Sequence, residues 1–283
     1  MYVSIDMGGT KTRIASSKDF KQIHKIEKFL TEGSITDQKI RIEHTIASVT
    51  DNQTIDGICF GFPGILDQAN RKFKIVPNYK NLESLTFDYF FNDKFGSVPL
   101  FVQNDAALAG LAEAVNGAGI NFDSIAYLTL STGVGGVKIE NKLISVNQKY
   151  FEPGHQVINF NGDFIDGAGV KGSLETFVSG KGFENNYDTS PETCRDEEIW
   201  KDYSRKLAAG LINVIVMWNP EVIVLGGSMS NKFDVFQKFL NEELKSFEAF
   251  DLPEIRKAEF MDDAGIKGGF IYLSQNLIKF IRT

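Results

Sequence analysis

Tyr2-Val3-Ser4-Ile5-Asp6-Met7-Gly8-Gly9-Thr10-Lys11-Thr12-Arg13-Ile14-Ala15-Ser16 opens the chain. Apolar and polar residues alternate on both sides of a glycine pair, as in two antiparallel strands joined by a tight turn. A P-loop needs GxxxxGK[ST] at a helix start and a dinucleotide fold needs GxGxxG there; neither spacing occurs in this stretch. The same pattern returns in the second half of the chain. Ile125-Ala126-Tyr127-Leu128-Thr129-Leu130 leads into Ser131-Thr132-Gly133-Val134-Gly135, then Gly136-Val137-Lys138-Ile139, and a turn at Glu140-Asn141-Lys142 leads to a strand over 143–146. Two glycine-rich meanders predict two halves of one α/β architecture, and no short-period repeat suggests a solenoid.

Strands and helices fill the rest. A third strand is expected at 23–29, a helix at 37–49, and a buried strand at 55–62 running into the turn Pro63-Gly64. Residues 65–99 are a polar and aromatic excursion around Val76-Pro77-Asn78, with a helix expected near 84–95. Residues 150–182 are glycine-rich and 183–196 polar, and 183–196 read as loop. Apolar spacing at Ile199, Leu207, Leu211, Ile212 and Ile215 predicts a helix over 197–218, stopped by Asn219-Pro220. A β-branched strand over 221–225 closes at Gly226-Gly227, and helices follow over 233–247 and 264–281.

Composition excludes several classes of function. A chain of 283 residues holds one large or two ordinary domains. Its 42% hydrophobic and 24% charged content is that of a soluble globular protein. A net charge of -7 argues against a nucleic-acid surface. No apolar run approaches the roughly 20 residues of a membrane span. Strand-like sequence follows Met1 almost at once, so no signal peptide is expected. With only Cys59 and Cys194, a structural disulfide is not expected and the setting reads as a reducing cytoplasm.

The stretch Leu100-Phe101-Val102-Gln103-Asn104-Asp105-Ala106-Ala107 hands a short apolar run over to a small-residue helix ending near Gly117. Asn and Asp are favoured helix caps, and the helix dipole favours an ionised carboxylate there. Asp105 therefore reads either as a plain cap or as a catalytic carboxylate at a strand-to-helix edge, where ligands commonly bind in α/β folds.

Five ordered segments resemble the ROK family (repressors, open reading frames and kinases): Asp6-Met7-Gly8-Gly9-Thr10-Lys11-Thr12, Gly61-Phe62-Pro63-Gly64, Asn104-Asp105, Ser131-Thr132-Gly133-Val134-Gly135-Gly136, and Glu152-Pro153-Gly154-His155 with Glu175 downstream. The resemblance covers nearly the whole chain. It implies the two-lobed actin/hexokinase-like (ribonuclease H-like) fold with a central cleft. The lobes are expected at 1–116 plus 270–283 and at 117–269. The implied activity is ATP-dependent phosphorylation of a hexose, glucose by default and at its 6-hydroxyl. N-acetylmannosamine, N-acetylglucosamine, fructose and allose stay open.

By the same resemblance, Gly8, Gly9, Thr10 and Lys11 would hold nucleotide phosphate oxygens, as a glycine loop can. Asp6 would orient Mg²⁺, which usually keeps several waters. Thr132 and Gly133 would form a second phosphate clamp, and Gly226 and Gly227 would flank adenine and ribose. Asp105 would be the general base. Asn104, Glu152, His155 and Glu175 would bind sugar hydroxyls, Gly64 would let the sugar approach, and Asn78 would contact it. Read alone, the first loop is also a tight hairpin, Gly226-Gly227 a strand-to-helix turn, Glu175 an exposed helix residue and His155 a loop histidine bonded to backbone. A homodimer is also implied. Two other classes remain: a non-catalytic sugar sensor, and an acetate-kinase-like or actin-like ATPase. Asp105 with both glycine loops speaks against the first, and Glu152-Pro153-Gly154-His155 against the second. Repressors of the family carry a helix-turn-helix ahead of the sugar-binding part, and none is expected here because Met1 lies five residues before Asp6.

Many members of that family carry a zinc site made by a histidine and a CxCGxxGC run. The corresponding stretch here is Asp166-Gly167-Ala168-Gly169-Val170-Lys171-Gly172-Ser173, with Asp, Ala and Ser at the cysteine positions. His155 alone cannot complete a tetrahedral site. No structural zinc is expected, and the loop must be ordered in another way.

Overall fold

The structure is a computed structural model that describes residues 1–76, 79–145 and 151–281. It forms two compact units, Met1–Ala112 with Asp263–Thr283, and Glu113–Asp262. The divisions fall slightly upstream of the boundaries expected at 116 and 270.

In the first unit, β1 (Tyr2–Met7) and β2 (Lys11–Ser17) pair antiparallel with Ile5 opposite Ile14 and Asp6 opposite Arg13. β3 (Ile23–Leu30) adds antiparallel to β2. Helix α1 (Ile35–Val49) follows, capped by Ser34, whose side chain accepts from Asp37 N–H. β4 (Gly57–Phe62) is parallel to β1 and buried along its whole length, which explains its unbroken apolar sequence. β5 (Ile65–Asp67) and β6 (Lys72–Ile75) make a small hairpin that the sequence did not suggest. The helix expected near 84–95 is not formed as such. Residues 84–86 instead pair with β6, through Ser84 N–H to Phe73 C=O at 2.7 Å and Phe73 N–H to Leu85 C=O at 3.0 Å. Only a 3₁₀ turn (Phe87–Phe90) and one-turn α2 (Asn92–Phe95) remain of it. Phe87, Phe90 and Phe91 pack with Phe60, Phe62 and Phe73 in a buried aromatic cluster. β7 (Leu100–Asn104) lies parallel to β4 and runs directly into α3 (Asp105–Asn116). The sheet order is β3-β2-β1-β4-β7.

The second unit repeats this plan strand for strand. β8 (Ser124–Leu130), β9 (Val134–Glu140) and β10 (Leu143–Ile144) form an antiparallel meander. Asn141 and Lys142 both have positive φ (51° and 63°), the requirement of a two-residue hairpin turn. Lys142 in that strained place is held by its ammonium, which donates to Ile120 C=O at 2.8 Å and Gly119 C=O at 3.2 Å. Val146 lies outside the described residues. α4 (Glu175–Val178) and α5 (Gly180–Tyr187) follow the glycine-rich segment. The residues over 183–196 were expected to be loop, but α5 occupies 180–187. The Ser179 side chain caps α5 by accepting from Gly182 N–H at 2.9 Å. Gly182 serves close packing, since a Cβ there would come within 2.7 Å of the Glu175 and Thr176 carbonyls. α6 (Glu197–Trp218) ends at Asn219 in the left-handed region. β11 (Val222–Gly226), parallel to β8, α7 (Phe233–Leu244) and the unanticipated β12 (Glu254–Lys257) complete a sheet of order β10-β9-β8-β11-β12. Its core gathers Leu128, Leu174, Phe183, Trp200, Tyr203, Leu207, Ile223 and Phe236.

The last helix, α8 (Ala264–Ile281), returns to the first unit and packs on β1 and β4. The approach demands glycine, because a Cβ on Gly268 would lie 1.8 Å from Leu108 C=O. Ser4 Oγ donates to Ile266 C=O at 2.9 Å across the same contact. Among the described residues no helix is long and apolar enough to cross a membrane.

Candidate active site

In the first unit the groups sit where the parallel strands end. Asp6 is near the end of β1, with Gly9, Thr10 and Lys11 exposed in the turn beyond it. Gly8 N–H donates to Lys11 C=O at 2.9 Å and closes the turn. Thr31 braces the turn from β3's end, its hydroxyl donating to Gly8 C=O at 2.8 Å and its N–H to Thr10 C=O at 3.0 Å. The Asp6 carboxylate packs against Gly265, where a Cβ would come within 2.6 Å of its Cγ. Arg13 approaches it at 3.4 Å from the paired position on β2, with both side chains 13% exposed. The glycine turn is thus braced by hydrogen bonds, exposed at its tip and carboxylate-bearing at its base.

The cap question at α3 has a definite answer. Asn104 Oδ1 accepts from Ala107 N–H at 3.1 Å, three residues on, so Asn104 is the cap. Asp105 is the first residue of the helix, and its Oδ1 accepts from the neighbouring Ala106 N–H at 2.8 Å. Asn104 Nδ2 also donates to Gly64 C=O at 3.2 Å, so two residues that the resemblance assigned to sugar stand together. Gly64 has φ 107°, open to glycine. Asp105 keeps some exposed surface, yet desolvation dominates and raises its pKa, against the smaller lowering by the N–H groups of Ala106 and Asp105 itself. Burial therefore works against the stabilisation that the helix dipole offers an ionised carboxylate at this place. Asn78 and Pro77 lie outside the described residues.

In the second unit, Ser131-Thr132-Gly133 turns between β8 and β9. Ser131 C=O accepts from Gly180 N–H at 2.7 Å, which fixes the start of α5 against the turn. Ser131 Oγ meets Ser228 Oγ at 3.4 Å, which brings the segment after Gly226-Gly227 beside it. Both of these glycines have packing reasons of their own: a Cβ on Gly226 would lie 2.2 Å from Tyr127 Oη, and one on Gly227 (φ 81°) 2.4 Å from Leu130 C=O.

Glu152, His155 and Glu175 converge, together with Asp166, which stands at a position the resemblance gives to cysteine. Pro153–His155 form a 3₁₀ turn. His155 Nδ1 lies 2.8 Å from Asp166 Oδ2, and its Nε2 lies 4.0 Å from Glu152 Oε2. Asp166 Oδ1 accepts from Ala168 N–H and Val170 N–H, both at 2.9 Å. Burial alone would raise this carboxyl, but Ser173, Val170 N–H and His155 together hold it below the ordinary aspartate value. The buried Ser173 hydroxyl contributes at a geometry too poor for a full hydrogen bond. Glu175 is no free surface residue. Its Oε2 accepts from Val134 N–H at 2.8 Å and its Oε1 from Gly167 N–H at 3.3 Å. Gly133 must be glycine for this, because a Cβ would come 2.6 Å from Glu175 Oε2.

The ROK family model matches residues 2–276. A glucokinase of Pyrobaculum calidifontis is 30% identical, with 93% of this chain and 91% of the relative covered. An N-acetyl-D-glucosamine kinase of Histophilus somni is 26% identical, with coverage of 98% and 100%. Among solved structures, a ROK family glucokinase from Streptomyces griseus in complex with glucose and AMPPNP superposes with a TM-score of 0.82 at 20% identity, covering 97% of this chain and 99% of that one. The chain therefore belongs to the ROK family, an enzyme of the sugar-kinase class with the actin/hexokinase-like α/β fold.

Proposed function

We propose that the protein transfers the γ-phosphoryl group of ATP to the 6-hydroxyl of a neutral hexose, with Asp105 as general base. A sugar hydroxyl is a weak nucleophile. Asp105 accepts its proton as the oxygen–phosphorus bond forms and the bond to the departing ADP breaks. Most of the remaining acceleration in phosphoryl transfer is positioning and charge neutralisation. The observation that carries this reading is the division of labour at α3: Asn104 caps the helix, and among the described residues the Asp105 carboxylate meets just the N–H groups of Ala106 and of Asp105 itself. Its raised pKa improves it as a base, since a base closer to the working pH takes a proton with more driving force.

The residues fit the other components. Gly9, Thr10 and Lys11 supply backbone N–H, hydroxyl and ammonium donors at an exposed turn that Gly8 closes. Thr132, Gly133, Gly226 and Gly227 would be further nucleotide contacts. Asp6 offers the oxygen donor that Mg²⁺ prefers, and the ion would supply charge neutralisation at the phosphates. Glu152, His155, Glu175 and Asn104 supply the mixed donors and acceptors that a polyhydroxyl ligand needs. Glucose is the first substrate to try. An N-acetylhexosamine is the second, supported by the Histophilus somni relative. The test is ADP release from Mg²⁺-ATP against a panel of hexoses and N-acetylhexosamines. Release that depends on one sugar class supports the kinase and names the class. No release with any sugar, alongside measurable sugar binding by calorimetry, would replace this reading with the sensor.

A further inference from the structure

The zinc of related proteins does not fit the residues here. Asp166, Ala168 and Ser173 stand where the family resemblance puts cysteines, and a structural zinc site needs four nitrogen or sulfur donors. His155 Nδ1 is already spent on Asp166. His155, Asp166 and Glu175 do bring ligand atoms within 4.8 Å of one another. Both carboxylates, however, are occupied by backbone donors: Asp166 by Ala168 and Val170, Glu175 by Val134 and Gly167. A cation would have to displace four N–H groups to use them fully.

The hydrogen bonds themselves do what a metal would do. They join the turn at 153–155, the segment 166–170 and the start of α4. We propose that Asp166 stands in for the metal as a positioning residue, fixing His155 as the Nδ1–H tautomer, while Glu175 ties the same loop to the glycine turn at 131–134. The tautomer follows from chemistry. A carboxylate that accepts two backbone N–H bonds on one oxygen, with its side chain fully covered, is an acceptor only. The proton in the 2.8 Å contact therefore sits on Nδ1. Nε2 is left as an acceptor beside Glu152, at 4.0 Å, too far for the two to bond each other. Two acceptors side by side suit two neighbouring hydroxyl groups of one sugar. Through Glu175 the same loop is anchored to the turn assigned to phosphate, so sugar and nucleotide contacts share one scaffold.

The tautomer is read by long-range ¹⁵N–¹H correlation at the imidazole of the uniformly labelled protein at pH 8. The chain has three histidines, so the His155→Gln variant assigns the signals. The expected wild-type pattern is a protonated Nδ1 and an unprotonated Nε2, and Asp166→Asn, whose amide would face Nδ1, inverts it. Metal analysis of protein purified without added metal should find far less than one equivalent of zinc, and a chelator should leave the melting temperature unchanged. A stoichiometric metal, or a wild-type Nε2–H tautomer, overturns the proposal, and neither measurement depends on the enzyme's substrate. The kinetic arm rests on the sugar-kinase reading: Asp166→Asn should raise KM for the accepted hexose about 5–10-fold, the scale of one lost hydrogen bond, with a smaller change in kcat. An inverted tautomer with unchanged KM would remove His155 orientation from sugar recognition. Absence of turnover in the wild type would sink the kinase reading while leaving the tautomer and metal results to decide the proposal.

Discussion

Asp105 and Asp166 are the same side chain put to opposite uses. Asp105 starts a helix directly after a strand and Asp166 lies in a loop, and both are at least partly shielded from solvent. Desolvation is the largest influence on both and pushes both pKa values up. At Asp105 only the N–H of Ala106 and its own N–H oppose it, and the net shift is upward. At Asp166, Ser173, Val170 N–H and His155 oppose it, and the net shift is downward. More donors and a smaller desolvation together separate the fixed acceptor Asp166 from Asp105, which is left readier to take a proton.

The largest test of this contrast is Asp105→Asn. Turnover should fall by at least about 10²-fold, the scale of general-base catalysis, with sugar affinity by calorimetry held within a few-fold. Near-normal turnover would take the base role away from Asp105. Asp166→Ala should act on stability instead. It strands His155 and two loop N–H groups, for a loss of about 1–2 kcal/mol in denaturant unfolding, moderated because water can reach part of the loop. Unchanged stability would show that the hydrogen bonds of Asp166 hold nothing together.

Asp105→Asn should also change stability, with the sign opposite to Asp166→Ala. The folded-state pKa of Asp105 lies above its unfolded value, so the wild type carries a penalty that grows as pH rises from the unfolded value through the folded one. The variant should therefore melt higher than the wild type at neutral pH, and the gain should vanish below the ordinary aspartate value. A gain that persists in acid would have to come from something other than desolvation of the charge.

The two glycine meanders were legible because strand alternation and turn glycines are local signals. The hairpin expected around Gly8-Gly9, in which Ile5 stands opposite Ile14, needs nothing from the rest of the chain. The misses came where distant partners decide. Residues 84–86 pair with β6 rather than starting a helix, and the helix that runs into 183–187 is missed because the carbonyls Gly182 packs against cannot be seen from its neighbours. Asn104 and Asp105 are both good caps, so sequence could not say which one caps and which is left for chemistry. Asp166 was read only as a missing cysteine. Its position eleven residues after His155 carries no helical or strand period that would announce their contact.

The smallest expected effects come from Asn104, and they bear most directly on why Asp105 behaves as it does. Asn104→Ala removes the acceptor of Ala107 N–H and the donor to Gly64 C=O, and should cost about 1 kcal/mol, the usual value of a helix cap. Asn104→Asp should recover the cap, since a carboxylate at a helix start accepts the same N–H and suits the dipole. It also places a second negative charge next to Asp105. A like charge disfavours ionisation, so the pKa of Asp105 should climb further. If Asp105 is the base, the acid limb of kcat/KM, which should already lie above the ordinary aspartate range, moves to still higher pH in Asn104→Asp, which keeps the cap but gives up the bond to Gly64 C=O. An acid limb that stays in place would mean that the titrating group is elsewhere, and that the division of labour between these two neighbours is structural only.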